Sequence, residues 1–131
     1  MSELQVLQVT ALWGGLLGLL MIVLSVVVVI GRNKARVLLE GGGNDDLTRK
    51  IRVFGNFTEY VPMAVLLMAI AELTGAPALS LHIIGAMLLI GRLMHWHGLH
   101  GKVLKPTRAI GVVLSWFAIA GSAGYCIMAA V

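Results

Sequence analysis

Apolar residues fall in four long runs, at 6–30, 60–73, 76–94 and 109–131, with polar and charged positions gathered between them. At 1.5 Å per residue, the first, third and fourth runs are long enough to cross roughly 30 Å of hydrocarbon as helices. The second run is short alone. It lengthens toward its N-terminus through a segment whose polar side chains recur on one face, so a helix starting near Asp45 spans with its first turns outside lipid. The pattern predicts helices over roughly 5–31, 45–74, 77–100 and 107–130, in one domain covering residues 1–131. The expected fold class is therefore an all-α membrane protein, a four-transmembrane-helix bundle.

Breaks between the runs agree with this division. Gly41, Gly42 and Gly43 end the first connection, and Asn44 or Asp45 can cap the helix that follows, with acidic side chains at its positive end. Pro62 lies inside the second helix and is expected to kink it near Glu59, because it cannot donate to the carbonyl of Thr58. Gly75, Ala76 and Pro77 form the next turn, and Pro106 stands at the entrance of helix four. Gly14 and Gly18 make a small-xxx-small pair suited to close helix packing. The first run has no basic stretch before it, Glu3 being the one charge ahead of Arg32, and it is too long for a signal-peptide core; it reads as a retained helix. Cys126, the single cysteine, excludes an intrachain disulfide and reads as a buried, inert thiol.

Composition sharpens the membrane reading: 59% of residues are hydrophobic and 12% charged. All ten Lys and Arg residues sit in two places. Arg32, Lys34, Arg36, Arg49, Lys50 and Arg52 lie between or beside helices one and two, and Arg92, Lys102, Lys105 and Arg108 surround the third connection. By the positive-inside rule both basic loops are cytoplasmic and both termini lie outside. Topology thus accounts for the net charge of +4, and no nucleic-acid partner is needed to explain it.

Three sets of residues could carry chemistry. Arg52, Asn56 and Glu59 fall within about 60° of one another on a helix wheel, with Tyr60 beside them. Ionisable groups entering a membrane helix are costly and mark cavities or interfaces. Glu accepts from an ammonium, Arg pairs with a carboxylate and Asn offers both donor and acceptor, so the face suits a zwitterionic, peptide-like ligand. A structural Arg52–Glu59 pair with Asn56 bonding a neighbouring helix is the competing reading. In the second set, Arg92, His95 and Leu99 share one face of helix three while His97 lies on another. His95, His97 and His100 do not converge as metal ligands, and no metal site is expected. The third is Arg108, at the start of helix four on the same side of the membrane, which can serve a site or anchor to lipid phosphates. His82, near the opposite face, suits packing or an interhelical hydrogen bond, and Trp13, Trp96 and Trp116 suit packing or interface positions. No phosphate-binding loop, dinucleotide fingerprint, nucleophile elbow or CxxC pair is present.

The pattern Arg52-xxx-Asn56-xx-Glu59-Tyr60-x-Pro62, following a Gly-rich loop in a chain of four helices, resembles the MAPEG superfamily of membrane-associated proteins in eicosanoid and glutathione metabolism. Gly91-Arg92-xx-His95, with Arg108 sixteen residues after Arg92, looks like the same family's connection between helices three and four. Gly-Asn-x-x-Glu-Tyr and Gly-Arg-Leu-Met-His are most similar to its small bacterial inner-membrane branch. The resemblance implies a homotrimer of four-helix bundles that binds glutathione between subunits near the cytoplasmic face. It implies that Arg52, Asn56, Glu59, Tyr60 and Arg92 hold glutathione, with Arg32 a looser match. His95 matches a glutathione-contacting position and Arg108 the arginine that stabilises the thiolate, and these two are the catalytic residues the resemblance implies.

The implied activity is that of a glutathione transferase or peroxidase, in which the thiolate meets a lipophilic electrophile or a hydroperoxide entering from membrane lipid. A guanidinium near the sulfur would favour the thiolate, the nucleophilic form. One position departs from the pattern: several active members carry a tyrosine where this chain has Leu99. A family member that binds lipid or glutathione without catalysis is thus one alternative. The other is a small proton-coupled multidrug exporter using Glu59, disfavoured because Glu59 lies near the basic end of its helix with Arg52 and Asn56 on its face.

Overall fold

The structure, a computed structural model, describes residues 6–131 and places there four helices in chain order: α1 (Gln8–Ala35), α2 (Asp45–Leu73), α3 (Ala78–Leu99) and α4 (Thr107–Ala130). Each is long and apolar enough to cross a membrane. The predicted start of the first helix, at residue 5, lies outside the described residues. At its other end α1 runs past the predicted residue 31 to Ala35. Arg32 and Lys34 occupy its last turn, where cations complement the carbonyl end of the helix dipole. Arg36 then turns left-handed at φ 54°, and the N–H of Val37 donates back to the Arg32 carbonyl at 3.1 Å.

α2 starts where the sequence places it. The Asn44 side chain accepts from the N–H of Leu47 at 2.9 Å, and Asp45 and Asp46 occupy the first turn. The helix continues without interruption through Pro62. Gly75, at φ 99°, makes the turn into α3.

α1 packs on α2 and α3, α4 packs on α3 and α2, and α1 and α4 do not meet among the described residues. α2 and α3 are therefore central. Leu17 and Leu24 of α1, Phe57 and Met68 of α2, Leu88 of α3 and Ala118 of α4 fill the middle of the bundle. The outer faces are apolar as well, with Leu19, Ile22, Ile83, Phe117 and Ile127 exposed. Such a surface belongs in hydrocarbon, where close packing and interhelical hydrogen bonds replace the hydrophobic effect in holding helices together.

Those interhelical bonds concentrate at the end opposite the basic loops. α1 begins without a capping side chain of its own. Glu72, near the end of α2, supplies the cap: one carboxylate oxygen accepts from the N–H of Val9 at 2.9 Å, the other from the N–H and hydroxyl of Thr10 at 2.8 and 2.6 Å. Nearby, Trp13 Nε1 donates to His82 Nδ1 at 3.1 Å, and the Tyr125 hydroxyl donates to Ser80 Oγ at 2.7 Å. His82 thus makes the interhelical bond that its position suggested. Cys126 is half-buried, with Sγ 3.4 Å from the Leu67 carbonyl. Gly14 approaches Val65 of α2, whereas Gly15 and Gly18 face open space in the single chain.

Candidate functional site

At the basic end, α2, α3 and α4 enclose an open cleft of about 200 Å³, lined by Arg52 and Asn56, by His95 and Leu99, and by Leu104, Arg108 and Val112. Two glycines make this convergence possible. Gly98 of α3 lies against the backbone of Arg108, and Gly111 of α4 lies against the Gly91 carbonyl and the backbone of His95, so a Cβ on either would occupy space held by backbone atoms. Close apposition of α3 and α4 brings Arg108 over the same cleft as His95.

Along α2, Arg52 and Glu59 are exposed and Asn56 is half-buried. Arg52 Nη2 donates to Glu59 Oε1 at 3.5 Å, a long bond between side chains each more than half exposed. A pair of that kind contributes little to stability. Its carboxylate and guanidinium stay open to other partners.

Behind this face the packing is tight. Arg92 is only 2% exposed, and its Nη1 donates to Asn56 Oδ1 at 2.6 Å and to the Asn56 carbonyl at 3.3 Å. The Tyr60 ring lies 5.9 Å from the guanidinium carbon, within cation–π range. Nε and Nη2 of Arg92 have no acceptor among the described residues. A buried guanidinium with two idle nitrogens is costly, so it fixes the Asn56 carboxamide at a stability penalty.

Of the residues singled out in the sequence, Arg52, Asn56, His95 and Arg108 therefore meet in one cleft. Glu59 adjoins through Arg52, while Arg92 and Tyr60 stand behind Asn56. The face shared by Arg92, His95 and Leu99 is buried, and His97 points outward, with Nδ1 3.1 Å from the Thr107 hydroxyl. Arg32 is not brought to the cleft: its Nη1 donates to the Glu40 carbonyl at 2.7 Å, and it lines a different depression with Asn33 and Arg36. Leu104 and Val112, which join Leu99 in the apolar part of the lining, carry no signal in the sequence beyond being apolar near a loop. Gly98 and Gly111 could have been found from their seven- and three-residue spacings to Gly91 and Arg108.

Chemically, the cleft combines three basic side chains and an amide with an apolar wall, and Glu59 stands at its edge. It can hold an anionic or zwitterionic ligand and stabilise a developing anion beside Arg108. Comparison with known proteins agrees with its membrane setting. The chain is 40% identical over 112 residues to the inner membrane protein YecN of Escherichia coli K12, covering 86% of this chain and 85% of the relative, and equally similar to YecN of E. coli O6:H1. No solved structure matches significantly. The MAPEG family matches residues 10–128, nearly the whole chain and all the residues of the cleft. The protein is an integral membrane protein that belongs to the MAPEG family.

Proposed function

We propose that this protein is a glutathione-dependent transferase or peroxidase of the bacterial inner membrane, with its active site and basic loops on the cytoplasmic side and both termini outside. The observation that carries the reading is the convergence of Arg52, Asn56, His95 and Arg108, from three helices, on one open cleft. Glutathione carries an ammonium, two carboxylates and a thiol. Glu59 takes the ammonium, Arg52 a carboxylate and Asn56 a peptide group, with Asn56 held in place by Arg92 and Tyr60 behind it. The sulfur then lies toward Arg108 and His95, where the guanidinium favours its thiolate; the proton leaves to water. Attack on an aryl halide forms the carbon–sulfur bond and expels halide. With a hydroperoxide, the thiolate takes one oxygen to give the alcohol and a sulfenic acid, which a second glutathione converts to the disulfide and water. Positioning of the thiolate against an acceptor dissolved in lipid supplies much of the rate.

Within one chain the cleft is open. In the proposed homotrimer a neighbouring copy closes it, and Arg32, remote within one chain, takes part only across that interface. A non-catalytic binding role is the second reading, favoured by Leu99, which presents no hydroxyl to the cleft. Proton-coupled export through Glu59 fits less well, because that carboxylate is paired with Arg52 at the basic end.

The test is turnover of glutathione with a generic aryl halide and with cumene hydroperoxide by the purified protein. Arg108→Ala is expected to abolish turnover while glutathione still binds, and Glu59→Gln to weaken binding. Binding without turnover of any acceptor selects the second reading.

A further inference from the structure

A second cavity, of about 140 Å³, lies at the basic end between α1, α2 and α3. Val27 of α1, Val53 of α2, and Trp96 and Leu99 of α3 give it an apolar wall. Arg49 and Lys50 of α2 bring two positive charges, Asp46 one negative charge, and His100 completes the lining. Asp46 is already engaged by Lys50, whose Nζ donates to it at 2.7 Å. Arg49 reaches the same carboxylate only at 4.0 Å, and its shielded Nε has no acceptor among the described residues. A guanidinium nitrogen sheltered from water and left without an acceptor is costly, and a guanidinium is suited to gripping an oxyanion. An apolar wall directly beside that cation suits neither a fully hydrated ion nor a plain hydrocarbon chain. It suits a molecule that is both, charged at one end and apolar immediately behind it.

We propose that this cavity binds the anionic head of a single-chain amphiphile, a carboxylate or phosphate monoester. The head sits on Arg49 and Lys50, and its first methylenes pack on Trp96 and Leu99. The net positive lining selects an anionic over a zwitterionic head, and the cavity has room for a head group and several waters. Leu99 lines both this cavity and the cleft beside Arg108. The amphiphile therefore packs against one side of the residue whose other side faces the candidate active site. Arg49 is absent from that cleft, so this assignment stands whether or not glutathione binds there.

Calorimetric titration of the full chain in phosphatidylcholine nanodiscs, against empty nanodiscs, tests it with four probes: palmitate, hexadecyl phosphate, hexadecylphosphocholine and inorganic phosphate. Saturable binding of the first two is expected, at least about tenfold tighter than of the others. Arg49→Gln, which keeps the stem, is expected to weaken both at least about tenfold, while Arg52→Gln in the other cleft leaves them unchanged. Val27→Phe, which fills the cavity from α1 and keeps every charge, provides the same loss should Arg49→Gln fail to fold. Equal affinity for hexadecylphosphocholine, inorganic phosphate binding as tightly as hexadecyl phosphate, no saturable binding, or no effect of either cavity variant would each overturn the proposal.

Discussion

Replacing Arg92 by methionine is expected to leave the folded protein at least as stable as wild type while weakening its hold on glutathione. Arg92 is 2% exposed, donates from Nη1 to the Asn56 side chain at 2.6 Å and carbonyl at 3.3 Å, and lies near the Tyr60 ring. A hydrogen bond to a charged group contributes about 1.5–3 kcal/mol, the longer second bond less, and a cation–π contact about 0.5–2 kcal/mol. Against these stand Nε and Nη2, both without acceptors among the described residues, at about 1–3 kcal/mol each, and the desolvation of the charge itself, several kcal/mol more. Methionine keeps most of the packed stem and removes both penalties. Asn56 is half-buried and can turn to water, so no new orphan is created. With the desolvation of the charge added, the penalties match or exceed the contacts, so the variant is expected to be at least as stable as wild type.

Thermal unfolding of wild type and Arg92→Met in the same detergent, without ligand, reads this directly. The melting midpoint is expected to hold or rise. Calorimetry on the same samples is expected to show glutathione affinity down by about tenfold, because Asn56 is no longer fixed. A midpoint lowered by more than about 5 °C would refute the reasoning, since the polar contacts of Arg92 would then outweigh the cost of burying it.

Three further outcomes follow from other parts of the bundle. Glu72→Ala removes all three bonds that cap α1 and is expected to cost about 2–4 kcal/mol, with Glu72→Gln intermediate; unfolding midpoints and hydrogen exchange at Val9 and Thr10 measure it. Gly111→Val forces α4 away from the backbone of Gly91 and His95, so turnover is expected to fall at least about tenfold through displacement of Arg108, with helical circular dichroism retained. His82→Leu deprives Trp13 Nε1 of its acceptor, and a loss of about 1 kcal/mol with altered tryptophan emission is expected.

The fold was legible because a membrane helix announces itself by length and apolarity, and its ends by residues such as Asn44, Gly75 and Pro77. Arg32 and Lys34 looked like loop because they are charged, yet the helix dipole keeps them in the last turn of α1. The Arg52, Asn56, Glu59 face could be read because helical period alone places it. Its meeting with His95 and Arg108 could not be read from period, since it depends on Gly98 and Gly111 letting two backbones touch. Glu72 was missed for a related reason. Its partners are the N–H groups of α1, more than sixty residues earlier, and nothing local marks a carboxylate as another helix's cap. Arg49 was read only as one of the basic residues that set the topology, because the cavity it shares with Val53 and Trp96 is a property of the packed bundle.

Glutathione is proposed to bind in the cleft of Arg52, Asn56, His95 and Arg108, with Glu59 at its edge, and calorimetric titration of glutathione into the purified protein tests this most directly. Saturable binding is expected, weakened at least about tenfold by Arg52→Ala and unchanged by Lys102→Ala on the exposed loop. No saturable binding to wild type, or equal loss from both substitutions, would contradict it.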